Sequence, residues 1–517
     1  MPTTTLLDDF RALSVTNNEY GRNRDRWKFL YESYVGGEEY RRAGHLNRYQ
    51  LETSGDYNQR LMTTPLDNQC QSVIQTYTSF LFRQAPDREF DGWENLQDYE
   101  SFLKDCDYEG RSFDQFMKQV SIWSSVFGHC WVIITKPNVG AASLAQEQEL
   151  GVRPYINLMT PLVVSDWRWT RDINGNYKLV YLKYIEEVVD KITIIREWTP
   201  EVIRTWQLDD VRKEAQMTAE EPNQLGIIPA VLAYNQRSVV KGIGVSDIND
   251  IADIQKMIYN MTSENEQAIR LDGHPSLVVP PTAQMGSGAG ALIVLQEGSD
   301  PGLNPYYLES NGISVDNIHK SIDKLITAID RIANTGGVRG TEVRTQSGVA
   351  MEVEFQLLNA RLSEKADNLE VAEEQIWRIF GLYQGREFMG KIKYPDSFNI
   401  RDQQREINQL AQAKSAATDP IVLRVIDEQI LETLGEEKER LAYEDIQPIP
   451  GRTYPDGEPI PESLPPLYIS ADDPQVPNGQ NCASCEYFKA SESYCTKFDA
   501  QVRPVFWCAK WDQKHED

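Results

Sequence analysis

Three long helical patterns in the middle of the chain restrict its possible folds more than any other feature. Apolar residues recur three or four positions apart over residues 248–261, and residues 318–332 repeat this amphipathic spacing. The third pattern spans residues 349–383 with apolar positions close to a seven-residue repeat, which is longer than an ordinary globular helix. Ser246 or Asp247 is the predicted cap of the first helix. The chain is therefore predicted to be organised around helices that each commit one face to packing.

Short segments of a different character separate these helices. Between the first and the second, residues 273–312 contain the strand-like stretches PSLVVP and ALIVLQEG on either side of the flexible GSGAG. Between the second and the third, residues 335–348 have four glycines and no apolar periodicity. This composition predicts a mobile loop that begins where Gly336 and Gly337 end the helix. The predicted order is helix, small β module, helix, glycine-rich loop and long helix.

The flanking segments complete a fold of the α+β class that is mainly helical. Residues 1–135 show mainly helical spacing, and residues 136–242 read as short strands divided by turn signals. Another helical pair is expected at about 400–437, followed by an extended proline-rich linker over 441–480. A chain of 517 residues is long enough to form two or more packed units.

The charge of the chain argues against a broad surface that binds nucleic acid. The formal net charge is -26, whereas such a surface needs clustered lysine and arginine. Acidity does suit a surface along which DNA slides, because every lysine–phosphate contact would have to break at each step. Solubility alone is the other explanation of the acidity.

No run approaches the roughly 18 apolar residues of a membrane span, and the first thirty residues lack the layout of a secretory signal. Cytosolic synthesis without a membrane partner is therefore expected.

The chain lacks the common catalytic motifs. No G-x-x-x-x-G-K-[ST] occurs, so the protein is not expected to hydrolyse ATP, and neither H-E-x-x-H nor G-x-S-x-G is present. The five histidines are dispersed, and the adjacent His129 and Cys130 would point apart on a strand or a helix. The protein is therefore expected not to be an enzyme.

Two long segments resemble the portal protein of tailed bacteriophages, the head-to-tail connector at the capsid vertex. GIIPAVLAYNQRS followed by GVSDINDIADIQKMIYNMTSENEQAIRLDGHPSLVV is similar to the way portals enter and leave their first stem helix. TQSGVAMEVEFQLLNARLSEKADNLEVAEEQIWRIFGLY is similar to the portal tunnel loop and the long helix behind it. The resemblance covers roughly residues 60–400 and is most specific over 226–383.

The resemblance implies a division of the chain into the parts of a portal subunit. These are the N-terminal helical part of the wing (1–135), the α/β wing (136–242), stem helix 1 (243–272), the clip (273–312), stem helix 2 (313–334), the tunnel loop (335–348), the long tunnel helix with its return to the wing (349–394) and a helical crown (395–440). The Pro-rich linker (441–480) and a four-cysteine module (481–517) follow.

A portal-like function is the expectation that this resemblance carries. Portals form closed rings, typically dodecamers, through which double-stranded DNA is packaged and later ejected. The implied partners are the major capsid protein, terminase and the neck or adaptor proteins, and the implied location is the virion, made in the host bacterial cytoplasm. In the tunnel loop, Arg339 and Arg344 are candidate contacts to DNA phosphates. The alternative is that both are solvated charges paired with Glu342.

Four cysteines within the last 36 residues form a separate pattern. Cys482, Cys485, Cys495 and Cys508 are spaced C-x2-C-x9-C-x12-C, and a C-x2-C turn presents two sulfurs from one knuckle. The pattern therefore predicts a metal site. Disulfides are the alternative, which a reducing cytosol disfavours, and free thiols would leave this small module with little to fold around.

The spacing suits both tetrahedral zinc and an iron–sulfur cluster. The text around the cysteines resembles the cluster-binding half of high-potential iron–sulfur proteins, in Cys485 to Phe488, Cys495 to Phe498 and Trp507 to Trp511. This resemblance implies a [4Fe-4S] cluster, with Zn as the alternative. The aromatic shell that it implies consists of Tyr487, Phe488, Tyr494, Phe498, Phe506, Trp507 and Trp511. The module is expected to act as a structural staple, because metal-binding energy becomes folding energy in so small a unit. The alternative function for the whole chain is an iron–sulfur electron-transfer or zinc-binding scaffold protein.

Overall fold

The computed structural model divides the chain into two compact units, Met1–Asn399 and Ile400–Asp517. The residues that it describes are 6–90, 93, 97–137, 146, 150–273, 276–279, 284–285, 293–294, 305–308, 313–339, 348–395, 398, 410–414, 426, 454, 456, 460–461, 463–464, 468–471, 476, 480–491, 493–508 and 510.

The first unit begins with helices separated by short turns. They are α1 (Leu6–Ser14), α2 (Asn18–Val35), α3 (Gly37–Arg42), α4 (Ser54–Thr63), α5 (Gln69–Leu81), α6 (Gln97–Lys104) and α7 (Phe113–Phe127), with strand β1 (Asp87–Glu89) before α6. Ser112 and Gln115 form a capping box at the start of α7, and Gly128 ends it with a left-handed backbone (φ +90°). A Cβ atom at Gly128 would lie 2.4 Å from the carbonyl oxygen of Gly244, so only glycine fits there without displacing the backbone.

Two larger antiparallel sheets follow α7 in the described part of the chain. The first places the wholly buried strand β2 (His129–Thr135) between β3 (Tyr155–Met159) and β9 (Ala230–Tyr234). The second is a five-stranded meander of β4 (Val164–Arg171), β5 (Tyr177–Val189), β6 (Ile192–Trp198), β7 (Val202–Asp209) and β8 (Glu214–Pro222). Helices and strands are thus mixed, which confirms the predicted fold class at that level.

Long helices and a small β module make up the middle of the chain. Helix α8 (Asn249–Gly273) leads into two antiparallel strand pairs, and α9 (Ile313–Ala333) packs back against α8. The strand pairs are β10 (Ser276–Val278) with β13 (Tyr306–Leu308), and β11 (Gln284–Met285) with β12 (Ile293–Val294). The short helix α10 (Gly336–Arg339) precedes α11 (Gly348–Tyr383), which is 36 residues long, and β14 (Lys391–Lys393) then pairs with β1. None of the helices described is long and apolar enough to span a membrane.

The segment predicted as a glycine-rich loop, residues 335–348, differs from the prediction in its first part. Helix α9 ends at Ala333 because Asn334 adopts a left-handed backbone (φ +56°), which asparagine tolerates better than most residues. The prediction that Gly336 and Gly337 end this helix is wrong, since both belong to α10. Residues 340–347 of the predicted loop lie outside the described residues.

The core of the first unit holds α11 by apolar and by charged contacts. Trp377 is fully buried, and its ring centroid lies 5.4 Å from that of Phe102 and 5.0 Å from that of Phe113. One turn earlier on α11, the buried carboxylate of Glu373 accepts a 2.5 Å hydrogen bond from the Arg88 guanidinium. The long helix is therefore fixed in rotation about its axis over its C-terminal half.

The second unit is described mainly around its cysteines. Strand β15 (Tyr468–Ser470) pairs with β19 (Phe506–Cys508), and β16 (Phe488–Lys489), β17 (Tyr494–Cys495) and β18 (Ala500–Gln501) form a small antiparallel sheet. Residues 410–414 are helical, but most of the predicted crown, 395–440, lies outside the described residues. The helical crown therefore stays a prediction.

Candidate functional site: a buried charge junction and a four-cysteine centre

A buried lysine–aspartate pair joins the long helix to the start of α8. Lys365, on α11, places its Nζ atom 2.5 Å from a carboxylate oxygen of Asp247 and 2.8 Å from the hydroxyl oxygen of Ser125. The same ammonium group also donates to the side-chain oxygen of Asn235. Four segments of the first unit therefore meet at one cation: α7, the residue that follows β9, the turn before α8, and α11.

Arg361, one helical turn before Lys365, extends this junction to the end of α9. One of its nitrogens donates to Asp247 (3.0 Å) and another donates to the backbone carbonyl of Ile332 (3.1 Å). The hydroxyl of Tyr77 donates to the neighbouring carbonyl of Ala333. Since the last carbonyls of a helix have no partner within it, these two side chains complete the C-terminus of α9. The start of α8 and the end of α9 are thus held side by side.

The charges of the junction stabilise one another in a site from which water is excluded. Burial alone would raise the pKa of Asp247, but the adjacent Lys365 and Arg361 hold it below its ordinary value. Burial lowers the pKa of Lys365, and the carboxylate of Asp247 opposes that effect. Each partner therefore depends on the other to remain charged. The sequence offered Asp247 only as a helix cap, and nothing in its spacing from Lys365 marks the two as partners.

Arg339, one of the two candidate DNA contacts, lies on α10. Its guanidinium forms a 3.0 Å ion pair with Asp330 and donates to the side chain of Gln69, and the Arg339 side chain is 11% exposed. A DNA phosphate would have to compete with Asp330 for this cation. The other candidate, Arg344, and its possible partner Glu342 lie outside the described residues. Contact of either arginine with DNA stays a prediction.

The four cysteines of the C-terminal unit reach one cavity from three elements. Cys482 begins a 3₁₀ turn that Asn481 caps, and the backbone N–H of Cys485 donates to the carbonyl of Cys482 (3.1 Å). This is the knuckle that a C-x2-C spacing predicts. Cys495 lies on β17 and Cys508 on β19, and all four thiols are buried. The sequence pattern therefore located residues that converge in the fold.

The surroundings of the four sulfurs are mostly apolar. The other residues that line the cavity are Tyr487, Phe488, Lys497, Phe498, Val502 and Lys510. Burial raises the pKa of Cys482 to about 12, and the nearby Cys508, Cys485 and Cys495 contribute to this increase. A metal cation would favour the thiolate forms that burial and mutual repulsion disfavour.

The donor set fits a metal that prefers sulfur. Four thiolates are the ligands of structural zinc and of a [4Fe-4S] cluster. Within the described part of the chain, no three His, Cys, Asp or Glu side chains are gathered so that they could hold a single ion. The four cysteines line a shared cavity instead. The residue types suit either centre, but the four thiols as placed are not gathered closely enough around one point for a single ion.

The aromatic shell predicted from the sequence forms only in part. Tyr487, Phe488 and Phe498 line the cavity, whereas the indole N–H of Trp507 donates to Gln480. The hydroxyl of Tyr494 donates to Asp499, and Phe506 stacks on Tyr468 with 5.1 Å between ring centroids. Trp511 lies outside the described residues. Alternation accounts for the difference at Tyr494 and Trp507, because each adjoins a cysteine on its strand and neighbouring side chains leave a strand on opposite faces.

Part of the segment predicted as an extended linker belongs to the cysteine module. Tyr454, Leu464 and Tyr468 are buried in the same apolar cluster as the four cysteines, and Tyr468 pairs with Cys508 across β15 and β19. The guanidinium of Arg503 lies 3.8 Å from the centroid of the Tyr454 ring. Prolines stop helices and strands but leave the large side chains between them free to pack. The module therefore begins well before residue 481.

Comparison with known proteins gives structural likenesses of low sequence identity. No family model matches the chain, and no curated protein matches it either. It is similar to a chain of the neck of an empty GTA particle computed with C6 symmetry, at 11% identity and a TM-score of 0.42, with 74% of this chain and 95% of that chain covered. It is also similar to a chain of the virion of the native gene transfer agent (GTA) particle, at 10% identity and a TM-score of 0.37, with 80% of this chain and 95% of that chain covered. A chain of the neck of the native GTA particle computed with C12 symmetry has 11% identity and a TM-score of 0.40, with 77% of this chain and 98% of that chain covered.

Proposed function

We propose that the protein is the portal subunit of a tailed-phage particle. It would form a closed ring at the capsid vertex, pass double-stranded DNA during packaging and ejection, and dock terminase and then neck or tail proteins. The observation that carries this proposal is the hairpin of α8 and α9 together with the long helix α11. The proposal also draws on the sequence segments over 226–383 that resemble portals.

The contacts of this hairpin give it the layout of a stem. Arg361 bridges the start of α8 to the end of α9, and Asn265 in α8 lies 2.7 Å from His319 near the start of α9. The two helices are therefore antiparallel, with the small β module at their far end and α11 at their near end. A stem of this kind presents a clip at one end and is anchored to the body of the subunit at the other.

Apolar side chains left exposed on these helices support assembly with further copies of the chain. Met257 and Ile269 on α8, Ile313 on α9 and Leu357 on α11 are each about half exposed, between 47% and 57%. Exposed apolar side chains on amphipathic helices can be buried against a neighbouring copy. A closed ring would cover it by contacts between neighbours.

The acidity of the chain is compatible with a conduit. A net charge of -26 keeps the binding of DNA phosphates weak, so that DNA can move through the ring without being held. On this account the protein acts by shape and charge and has no catalytic residues.

Substitution of an exposed apolar residue tests the ring. Met257→Glu introduces a charge at a position that is 54% exposed in the subunit, so the fold should be retained while the contact between neighbours is weakened. We expect sedimentation to show rings for the wild type and smaller species for Met257→Glu, with unchanged circular dichroism. The matched control is Lys256→Glu, the adjacent position on α8, which should assemble. Equal assembly of wild type and Met257→Glu would place the subunit contact elsewhere, and a monomeric wild type would contradict the ring.

We propose further that the C-terminal module binds a metal centre through Cys482, Cys485, Cys495 and Cys508. The convergence of these four thiols on one cavity supports this proposal. A [4Fe-4S] cluster is the favoured centre and zinc the alternative, and the role is to hold the module folded. An absorption spectrum and metal analysis of an anaerobic preparation test it. A brown sample with a broad visible band is expected, stoichiometric zinc would favour the alternative, and the absence of both metals would contradict the site.

A further inference from the structure

Two lysines stand beside the four-cysteine cavity at matching positions. Lys497 follows Cys495 by two residues, and Lys510 follows Cys508 by two residues. Both side chains line the cavity. Among the described residues that do so, the other non-cysteine members are aromatic or aliphatic, so the lysines supply the formal positive charge at its wall.

The ammonium group of Lys497 lies against an aromatic side chain of the cavity wall. The Nζ atom of Lys497 lies 4.5 Å from the centroid of the Tyr487 ring, a cavity-lining residue. Cys495 lies on β17 and Cys508 on β19, so the two lysines stand beside cysteines of different strands at one cavity.

We propose that Lys497 and Lys510 are the counter-charges of the metal centre. Four thiolates with Zn²⁺, or with a [4Fe-4S]²⁺ core, carry a net charge of about -2 in either case, since four charges of -1 are added to +2. Two ammonium groups offset that charge where apolar walls keep water away. The inference rests on the proposed metal site but not on which metal occupies it.

A purely structural role for these lysines makes a different prediction. Long lysine stems cover apolar surface while the ammonium group remains in water. In that case a side chain of similar length without charge would serve equally well. Lys→Met substitutions keep the stem and remove the charge, whereas Lys→Arg substitutions keep the charge. The two sets of variants therefore separate charge compensation from packing.

The experiment uses the full chain and Zn²⁺ as the probe, because the same four thiolates would hold either centre. Zinc affinity is measured by competition with a chromophoric chelator for the wild type, for Lys497→Met with Lys510→Met, and for Lys497→Arg with Lys510→Arg. We expect the Met double variant to bind zinc roughly 10- to 100-fold more weakly, as for other residues that support metal ligands. The Arg double variant should bind as the wild type does. Lys489→Met is the control, because Lys489 is exposed on β16 and is not among the residues lining the cavity.

Each outcome of the zinc measurement bears on the counter-charge role of the lysines, on the metal site, or on both. Equal affinity of the wild type and the Met double variant would overturn the counter-charge role and leave the metal site standing. The same result would assign the lysines to packing, whereas equal weakening by Met and Arg would also overturn the counter-charge role, because the retained charge would then have no effect. A wild-type chain that binds no zinc through its cysteines would overturn the metal site and the counter-charges together.

Discussion

Asp247→Asn is expected to lower the free energy of unfolding of the first unit by about 3–5 kcal/mol, the usual cost of removing one partner of a buried ion pair. The substitution keeps the shape of the side chain but leaves the ammonium group of Lys365 enclosed without its anion. Arg361 loses the same carboxylate, so the link between the start of α8 and the end of α9 weakens as well. Chemical denaturation followed by tryptophan fluorescence measures the effect.

An exposed aspartate near the start of α8 provides the control. Asp253 pairs with Arg26 at 2.7 Å, but its side chain is 61% exposed. Water screens this pair, so Asp253→Asn should cost less than about 1 kcal/mol. Combining Asp247→Leu with Lys365→Met should restore stability relative to Asp247→Asn, because the buried ammonium group is removed together with its anion, while Arg361 is 27% exposed and keeps its bond to the Ile332 carbonyl. Similar losses for Asp247→Asn and Asp253→Asn would show that the junction is not stabilising.

Cys482→Ser together with Cys508→Ser is expected to unfold the C-terminal module and leave the first unit intact. Structural zinc contributes an apparent binding free energy of about 10–16 kcal/mol in small domains, and the loss of two ligands removes most of it. The apolar cluster around the four cysteines is small, so it is not expected to hold the module alone. Limited proteolysis with mass spectrometry should show new cleavage within residues 481–517, and metal content should fall.

The matched control is a cysteine of the first unit. Cys106 is buried, and its thiol donates to the carbonyl of Arg111 at 3.3 Å, a hydrogen bond that a serine hydroxyl can also make. Cys106→Ser should leave metal content and the proteolysis pattern of the module unchanged. If the doubly substituted module resists protease as well as the wild type does, the metal does not stabilise the module.

The convergence of the four cysteines on one cavity could be predicted from the sequence because its pattern is local, whereas a metal centre there stays a prediction. The C-x2-C turn fixes two sulfurs within four residues, and the other two thiols follow within the same small module. The aromatic shell was predicted less well, since which face a side chain takes depends on the register of two-residue strands. Phe488 lines the cavity, but Tyr494 does not appear among its lining residues.

The charge junction could not be predicted because its partners are distant in sequence. Asp247 and Lys365 are 118 residues apart, and a lysine on a long helix ordinarily faces solvent. Local rules also favoured the wrong stop signal for α9, because a glycine pair is a stronger stop signal than a single asparagine, although the predicted end at residue 334 differs from the observed end by one residue. The ends of the long helices were predicted to within one residue except at the start of α8, which was placed at residue 243 and lies at Asn249. Their apolar periodicity depends on the same packing that the fold uses.

The most direct test of the portal account is negative-stain electron microscopy of the purified full-length chain. The account predicts closed rings with a central hole wide enough for double-stranded DNA. Small single particles without a hole, persisting at high protein concentration, would contradict it.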